Sequence, residues 1–135
     1  MRRRSIAREL VEAFKRVSLV GLKLPHVKAA TRYDGAPVLK MRGCFMAGVA
    51  TDPAAEPCTL VVRVAMEDRD ALLEDAPETY YLTDYHRRYP VVLARLSRLD
   101  EDALRDLLWM SWRLTAVKAG KRGERRGVKP RPTPS

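Results

Sequence analysis

The sequence VKAATRYDGAPVLKMRGCFMAGVATDPAAEPCTLVVRV, residues 27–64, decides the fold class of this chain. Four short runs of apolar and β-branched residues lie in it. Asp34-Gly35, Arg42-Gly43 and the loop from Pro53 to Pro57 separate these runs, and all three are turn or loop signals. The stretch therefore predicts an antiparallel meander with strands at Val27–Tyr33, Pro37–Met41, Phe45–Val49 and Thr59–Val64.

Helical patterns lie on both sides of this meander. Apolar residues at helical spacing predict a first helix from about Ser5 to Lys23, and a short acidic helix at Glu67–Asp75 stops before Pro77. Val91–Leu96 is the clearest late strand. A last helix, capped by Asp100, ends near Lys118, and its inner face is Leu104, Leu107, Leu108 and Ser111.

The order of these elements predicts one α+β domain over residues 5–118: helix, three or four strands, helix, two strands, helix. Such an order is typical of a two-layer fold in which an antiparallel sheet has its helices packed on one face. A chain of 135 residues is long enough to bury one core without disulfides or a structural metal. The other face of the sheet is then expected to meet solvent or a partner.

Composition also bears on where the protein works. No stretch approaches the roughly 18 uninterrupted apolar residues that a membrane helix needs. The start Met1-Arg2-Arg3-Arg4 is not followed by an apolar segment, which argues against a signal peptide. The two cysteines, Cys44 and Cys58, have no paired spacing, as is typical of a reducing compartment. We therefore expect a cytoplasmic protein without membrane contact.

The net charge of +9 suggests an acidic partner, but it is concentrated at the two ends of the chain. Arg2 to Arg4 contribute +3, segment 118–135 contributes +6, and residues 5–117 are formally neutral. From Gly120 onward the chain has almost no apolar residue to offset the entropy of ordering. We therefore expect residues 1–4 to be a basic tail and residues 119–135 to be a basic, disordered one.

Within the neutral middle of the chain, the sheet segments are basic. Residues 35–51, 57–66 and 85–99 contain lysines and arginines but neither Asp nor Glu. Strand alternation predicts that many of these cations share one face, which would attract phosphates, with Tyr81, Tyr85 and Tyr89 nearby for stacking. A solvated outer face is the alternative interpretation. The candidate nucleic-acid contacts are Lys40, Arg42, Arg63, Arg87, Arg88, Arg95 and Lys118.

Other kinds of site are weakly supported. Cys44, Cys58, His26 and His86 form no spacing typical of zinc ligands, so no metal and no cofactor are expected. The scattered glycines form no phosphate-binding loop. An enzyme with an unrecognised site would have to use His86, Tyr89 or Lys40, but His86 is more readily interpreted as a hydrogen-bonded loop histidine. We therefore expect a protein that binds rather than catalyses.

Trp109 is the one large aromatic residue that the helical wheel places outside the inner face of the last helix. Arg105 and Arg113 lie four residues before and after it, so that a cation–π contact is one interpretation. The other is an anchor for a homodimer or protein partner.

Several motifs, taken together, resemble a known family. They include Pro37-x-x-Lys40-x-Arg42-Gly43, Tyr80-Tyr81-x-Thr83, Tyr89-Pro90-x-Val92-Leu93-x-Arg95-Leu96 and Ser111-Trp112-Arg113-Leu114. In order and spacing, this set resembles the MmcQ/YjbR-like proteins over about residues 6–118. The resemblance implies an α+β fold of the type III secretion chaperone kind, and a DNA-binding role through a double-wing arrangement of hairpins.

The chain also departs from that family pattern, because Tyr85-His86 stands where relatives usually have His-Tyr, and Arg88 where Gly or Asn is common. A role for His86 carried over from the family is therefore not assumed. The leading hypothesis is a non-enzymatic, sequence-tolerant DNA-binding domain that uses the basic sheet face and both tails.

Overall fold

The computed structural model describes residues 2–128 of the chain, and the side chains of residues 11–120. Three helices and six strands follow each other in the predicted order. The helices are α1 (Arg2–Gly21), α2 (Met66–Asp75) and α3 (Glu101–Val128). The strands are β1 (Val27–Thr31), β2 (Pro37–Met41), β3 (Cys44–Val49), β4 (Thr59–Arg63), β5 (Tyr80–Tyr81) and β6 (Val91–Arg95).

The strands form a single antiparallel sheet in the order β1-β2-β3-β4-β6-β5. The predicted meander is confirmed as its first four strands. β5, the late strand that the sequence left unplaced, pairs with the edge of β6 through Tyr80 and Tyr81. A short 3-10 turn, His86–Arg88, lies in the connection between these two strands.

The hairpin between β2 and β3 turns on Arg42 and Gly43, whose φ angles are 52° and 82°. Two successive positive φ angles are characteristic of the type I′ turn, whose twist matches that of the flanking strands. Glycine adopts this conformation readily, whereas arginine does so at a cost. The turn therefore presents Arg42 at the tip of the hairpin in a strained backbone.

All three helices pack on one face of the sheet, as predicted for a two-layer α+β fold. On α3, Leu104, Leu107 and Leu108 are buried, and Ser111 Oγ donates a hydrogen bond of 3.1 Å to the carbonyl of Met46 on β3. The sheet supplies this core with buried side chains from the central strands, namely Leu39, Met41, Met46, Ala47, Val49, Leu60, Val62, Val92 and Ala94. We call this side of the sheet the helix face and the other side the open face.

The helix termini differ from the sequence-based expectation. α1 already begins at Arg2, so residues 2–4 continue the helix that was predicted to begin at Ser5. α3 does not end near Lys118 but continues to Val128. The expectation of disorder from residue 119 relied on missing apolar residues, which decide burial, whereas lysine, arginine and glutamate are good helix formers. Residues 129–135 lie outside the described part of the chain.

Candidate nucleic-acid interface

Strand alternation separates the side chains of the two faces cleanly. On β4, Leu60 and Val62 belong to the core under the helices, so that Val61 and Arg63 point to the open face. On β2, Leu39 and Met41 belong to the core, so that Val38 and Lys40 point to the open face. Lys40 and Arg63 therefore share a face, as the sequence predicted.

A row of three cations crosses one end of the open face. Lys28 on β1 lies directly opposite Lys40 on β2, and Lys40 in turn lies opposite Phe45 on β3. The Nε of Arg63 on β4 donates a hydrogen bond of 3.0 Å to the carbonyl of Phe45, which joins the fourth strand to this row. We call Lys28, Lys40 and Arg63 the basic row.

No carboxylate of residues 11–120, whose side chains the structure describes, neutralises the basic row. None of the ion pairs found among residues 11–120 includes Lys28, Lys40 or Arg63. Like charges placed directly opposite each other on neighbouring strands destabilise a sheet by a few tenths of a kcal/mol to about 1 kcal/mol. The Lys28–Lys40 pair therefore carries a repulsion that a bound anion would relieve. Lys28 is not among the nucleic-acid contacts predicted from the sequence, because only the register between β1 and β2 shows that it lies opposite Lys40.

The part of the open face next to the basic row is apolar. Gly48 on β3 is buried, and a Cβ built on it would lie 3.2 Å from Cε1 of Phe45 and 2.7 Å from Cγ1 of Val38. The Phe45 ring therefore lies against the bare backbone of Gly48, where only glycine leaves room for it. Phe45 is half-buried, and the neighbouring Val38 is fully buried.

The other arginines at this end of the sheet differ in how free they are. Arg42 is exposed at the tip of the β2–β3 hairpin, directly beyond the paired Met41 and Cys44. Arg87 forms an ion pair of 3.4 Å with Asp84. Arg88 is exposed and, among the described residues, has no ion-pair partner. Arg42 and Arg88 are thus the two further cations most available to an anion.

Arg95 lies at the opposite end of the sheet, where it is already engaged. Its guanidinium holds both carboxylate oxygens of Glu56 at 2.8 Å and also donates to the carbonyls of Pro77 and Glu78. The same group lies 4.4 Å from the centre of the Tyr81 ring. The hydrogen bonds from Arg95 lower the pKa of Glu56 from its usual 4.5. Arg95 thus connects the loop of Glu56 with the loop of Pro77 and Glu78, an arrangement that we call the Arg95 clamp. It is not part of the basic row.

Lys118 is exposed, but it stands in the helix layer. It belongs to α3, the helix whose Ser111 bonds to the helix face of the sheet. The sheet therefore separates Lys118 from the basic row.

The segment between β5 and β6, residues 83–89, folds over the open face. Its 3-10 turn contacts β6, and Val61 and Leu93, a cross-strand pair on the open face, are buried to 7% and 0% exposure. Arg69 on α2 fixes the segment by donating from Nη1 to the carbonyls of Arg87 and Tyr89 at 2.9 and 3.1 Å. The open face is thus partly covered, and not uniformly exposed to solvent as the sequence suggested.

Two of the three predicted tyrosines remain available on this segment. Tyr85 and Tyr89 are 55% and 39% exposed, and their ring centres are 5.3 Å apart. The hydroxyl of Tyr81, by contrast, bonds to the backbone N–H of Glu56 and to the hydroxyl of Thr59 at 2.8 and 2.7 Å. Tyr81 therefore belongs to the Arg95 clamp.

His86 is a buried structural residue in this arrangement. Its Nδ1 lies 2.6 Å from the hydroxyl of Thr83, and its backbone N–H donates to the carbonyl of Thr83. Burial lowers the pKa of the imidazole from 6.5, and Asp52 acts weakly in the other direction. The ring is therefore neutral near pH 7, consistent with the hydrogen-bonded loop histidine considered above.

The candidate zinc ligands stand on four separate elements: a turn, β3, a loop and the 3-10 turn. Over the described residues, no group of three His, Cys, Asp or Glu side chains is arranged to hold a metal ion. A helix with the length and apolar character needed to cross a bilayer is likewise not found in that part of the chain.

Trp109 is 46% exposed and stacks on Trp112, with ring centres 5.2 Å apart and planes inclined by 10°. The cation–π contact with Arg105 or Arg113 is not found among the described residues. Trp109 lines two clefts of about 350 and 580 Å³, and Met110, Leu114 and Val117 line the larger one.

Fold and site together define a two-layer α+β protein whose sheet has, on the face opposite its helices, a row of cations without an ion-pair partner in the described part of the chain. The chain matches the YjbR family over residues 22–114, which include the basic row and segment 83–89, and it therefore belongs to that family. This confirms the family resemblance of the sequence motifs. No curated protein and no solved structure matches the chain.

Proposed function

We propose that the protein binds nucleic acid, DNA in the first place, without chemical conversion and with little sequence preference. The observation that carries the proposal is the basic row: two lysines directly opposed across β1 and β2, followed along the same row by Arg63 on β4, and none of the three in an ion pair with a described residue. Phosphate groups are the anions best able to meet several such cations at once.

The dimensions of the row support this proposal. It extends across β1 to β4, three interstrand spacings of roughly 4.8 Å each, or about 14 Å in total. Along the axis of a DNA duplex each strand advances by about 3.4 Å per nucleotide, so the row is about as long as four nucleotides of one duplex strand. Contacts to phosphates fix the position of a strand but carry no sequence information, which is the basis for the expected sequence tolerance.

The salt dependence of binding tests the proposal. With Lys28, Lys40, Arg63 and one of the exposed arginines engaged, about four phosphates are neutralised, and log K should fall with log salt at a slope of about −3.6. Between 50 and 200 mM salt, this amounts to a loss of about 150-fold in affinity for duplex DNA. Anisotropy titrations of fluorescently labelled DNA measure it directly.

Charge-neutral variants localise the contact. Lys40→Gln and Arg63→Gln should each make the slope shallower by nearly one unit, because one phosphate contact is lost. Arg113→Gln is the matched control, since it removes one exposed positive charge from α3 on the other side of the sheet. Equal effects of all three variants, or binding that does not depend on salt, would show that the basic row is not the interface.

A homodimer formed through Trp109 is the second candidate function. The observation in its favour is the half-exposed Trp109–Trp112 stack between two clefts, because exposed aromatic side chains are typical of binding hot spots. Sedimentation of wild type against Trp109→Ala tests this. A concentration-dependent dimer that the variant loses supports it, and a monomer at every concentration excludes it.

A further inference from the structure

The tyrosine pair, Tyr85 and Tyr89, is an exposed aromatic surface next to the basic row. The carbonyl of Pro90, which follows Tyr89, accepts a hydrogen bond of 3.0 Å from the N–H of Val64, which follows Arg63. Val91 and Arg63 are also direct partners in the sheet. The backbone that follows Tyr89 therefore lies beside the strand that carries Arg63, at the end of the basic row.

The pair is held in place before any ligand arrives. The two rings are in contact and inclined by 50°, and Tyr85 also packs edge-on against the buried His86, with ring centres 5.0 Å apart. Arg69 bonds to the carbonyls on both sides of Arg88. A ligand that stacks here therefore loses little free energy to ordering the segment.

The chemistry of this surface selects between two forms of nucleic acid. Exposed aromatic rings beside a positively charged track are the means by which proteins hold single strands, since every base has a face that can stack. In a duplex, these base faces are already stacked on one another, so a tyrosine on the protein surface reaches only the backbone and groove edges.

We propose that the ligand of this surface is single-stranded nucleic acid, with phosphates along the basic row and a base stacked on the Tyr85–Tyr89 pair. This inference rests on the proposed function and narrows it to one substrate class. Both Asp52 and the exposed Arg88 lie within electrostatic range of Tyr85, and Arg88 supplies a further cation on this segment.

Anisotropy titrations with a labelled 12-nucleotide thymidine strand and a 12-base-pair duplex test this directly. The single strand should bind more tightly at equal salt. Tyr85→Ala and Tyr89→Ala should each weaken single-strand binding by about 5- to 150-fold, the range measured for one base–aromatic stack, and leave duplex binding and the salt slope unchanged.

Two further variants separate stacking from general damage. Tyr85→Phe keeps the aromatic face and loses the hydroxyl, so it should retain single-strand affinity within about twofold. Tyr33→Ala is the matched control, because Tyr33 is fully exposed at 102% in the β1–β2 turn beside Asp34. Its removal should change nothing.

The possible failures are distinct. If strand and duplex bind equally and the tyrosine variants have no effect, while Lys40→Gln weakens both, the stacking inference is wrong and the proposed function stands. If neither nucleic acid binds, the proposed function itself fails. If Tyr85→Phe loses as much affinity as Tyr85→Ala, the Tyr85 hydroxyl, and not base stacking, is responsible, and the inference is again overturned.

Discussion

Replacing Lys28 by glutamate should stabilise the fold and weaken nucleic-acid binding at the same time. The residue is exposed on β1 and lies directly opposite Lys40, so the substitution converts a repulsive cross-strand pair into an attractive one. The repulsion that is removed and the attraction that is gained each amount to a few tenths of a kcal/mol on an exposed sheet surface. We expect Lys28→Glu to raise the free energy of unfolding by about 0.5–1 kcal/mol.

The same substitution removes one phosphate contact and introduces a charge that repels the ligand. At 0.1 M salt, one contact corresponds to about eightfold in affinity. Lys28→Glu should therefore lose at least about eightfold, with a salt slope shallower by nearly one unit or more. Opposite signs for stability and binding are the distinctive result, because a variant that simply damages the fold lowers both.

Urea unfolding and DNA anisotropy, measured on the same preparations, provide the assay. The gain in stability corresponds to roughly 2–4 °C in Tm and should disappear at high salt, since exposed charges are screened there. Arg113→Glu makes the same charge change on α3 and is the control for net charge alone. A Lys28→Glu protein that is less stable than wild type, or that binds DNA as tightly, would refute the register-based argument for the basic row.

Three further substitutions test the structure around the interface. Gly48→Ala places a Cβ 2.7 Å from a methyl group of Val38, so it should lower the free energy of unfolding by about 1–3 kcal/mol in urea titrations. Arg42→Asn relieves the φ of 52° in the hairpin turn and should raise Tm slightly while weakening DNA binding. Because Arg95 lowers the pKa of Glu56, stability from this pair is present above pH 4.5 and lost as the pH falls below it; Glu56→Gln should flatten that part of the stability–pH curve.

The meander and the layer order were predictable because periodicity carries them. Alternating apolar residues on β2 and β4 assign Leu39 and Val62 to the core, and they place Lys40 and Arg63 on the other face before any coordinates are known. Glycine-containing turns then fix where each strand ends. Local pattern is sufficient for these features, because each depends on residues close together in the sequence.

The composition of the interface was harder to predict, because it depends on contacts between distant residues. Nothing in the local sequence shows that Arg95 closes on Glu56, 39 residues away, or that Lys28 faces Lys40. The position of segment 83–89 over the open face also depends on a residue distant in the sequence, Arg69 on α2. Strand periodicity assigns a side chain to a face, whereas only the tertiary structure shows which cations have partners.

The distribution of charge suggests why a formally neutral domain would bind a polyanion in one orientation. The acidic residues of α2 and of the first turn of α3, Glu67, Asp68, Asp70, Glu74, Asp75, Glu101 and Asp102, all belong to the helix layer. The strand side chains on the open face are basic or uncharged, and among the described residues Arg95 is the one cation on these strands with a carboxylate partner. Within residues 5–117 the helix layer is therefore net negative and the open face net positive, and such a charge distribution is oriented by a field even when the net charge is zero. The basic ends act differently, because Arg2 to Arg4 and the cations of residues 118–126 belong to α1 and α3: they attract a polyanion without favouring the open face, so the choice of that face depends on the basic row itself.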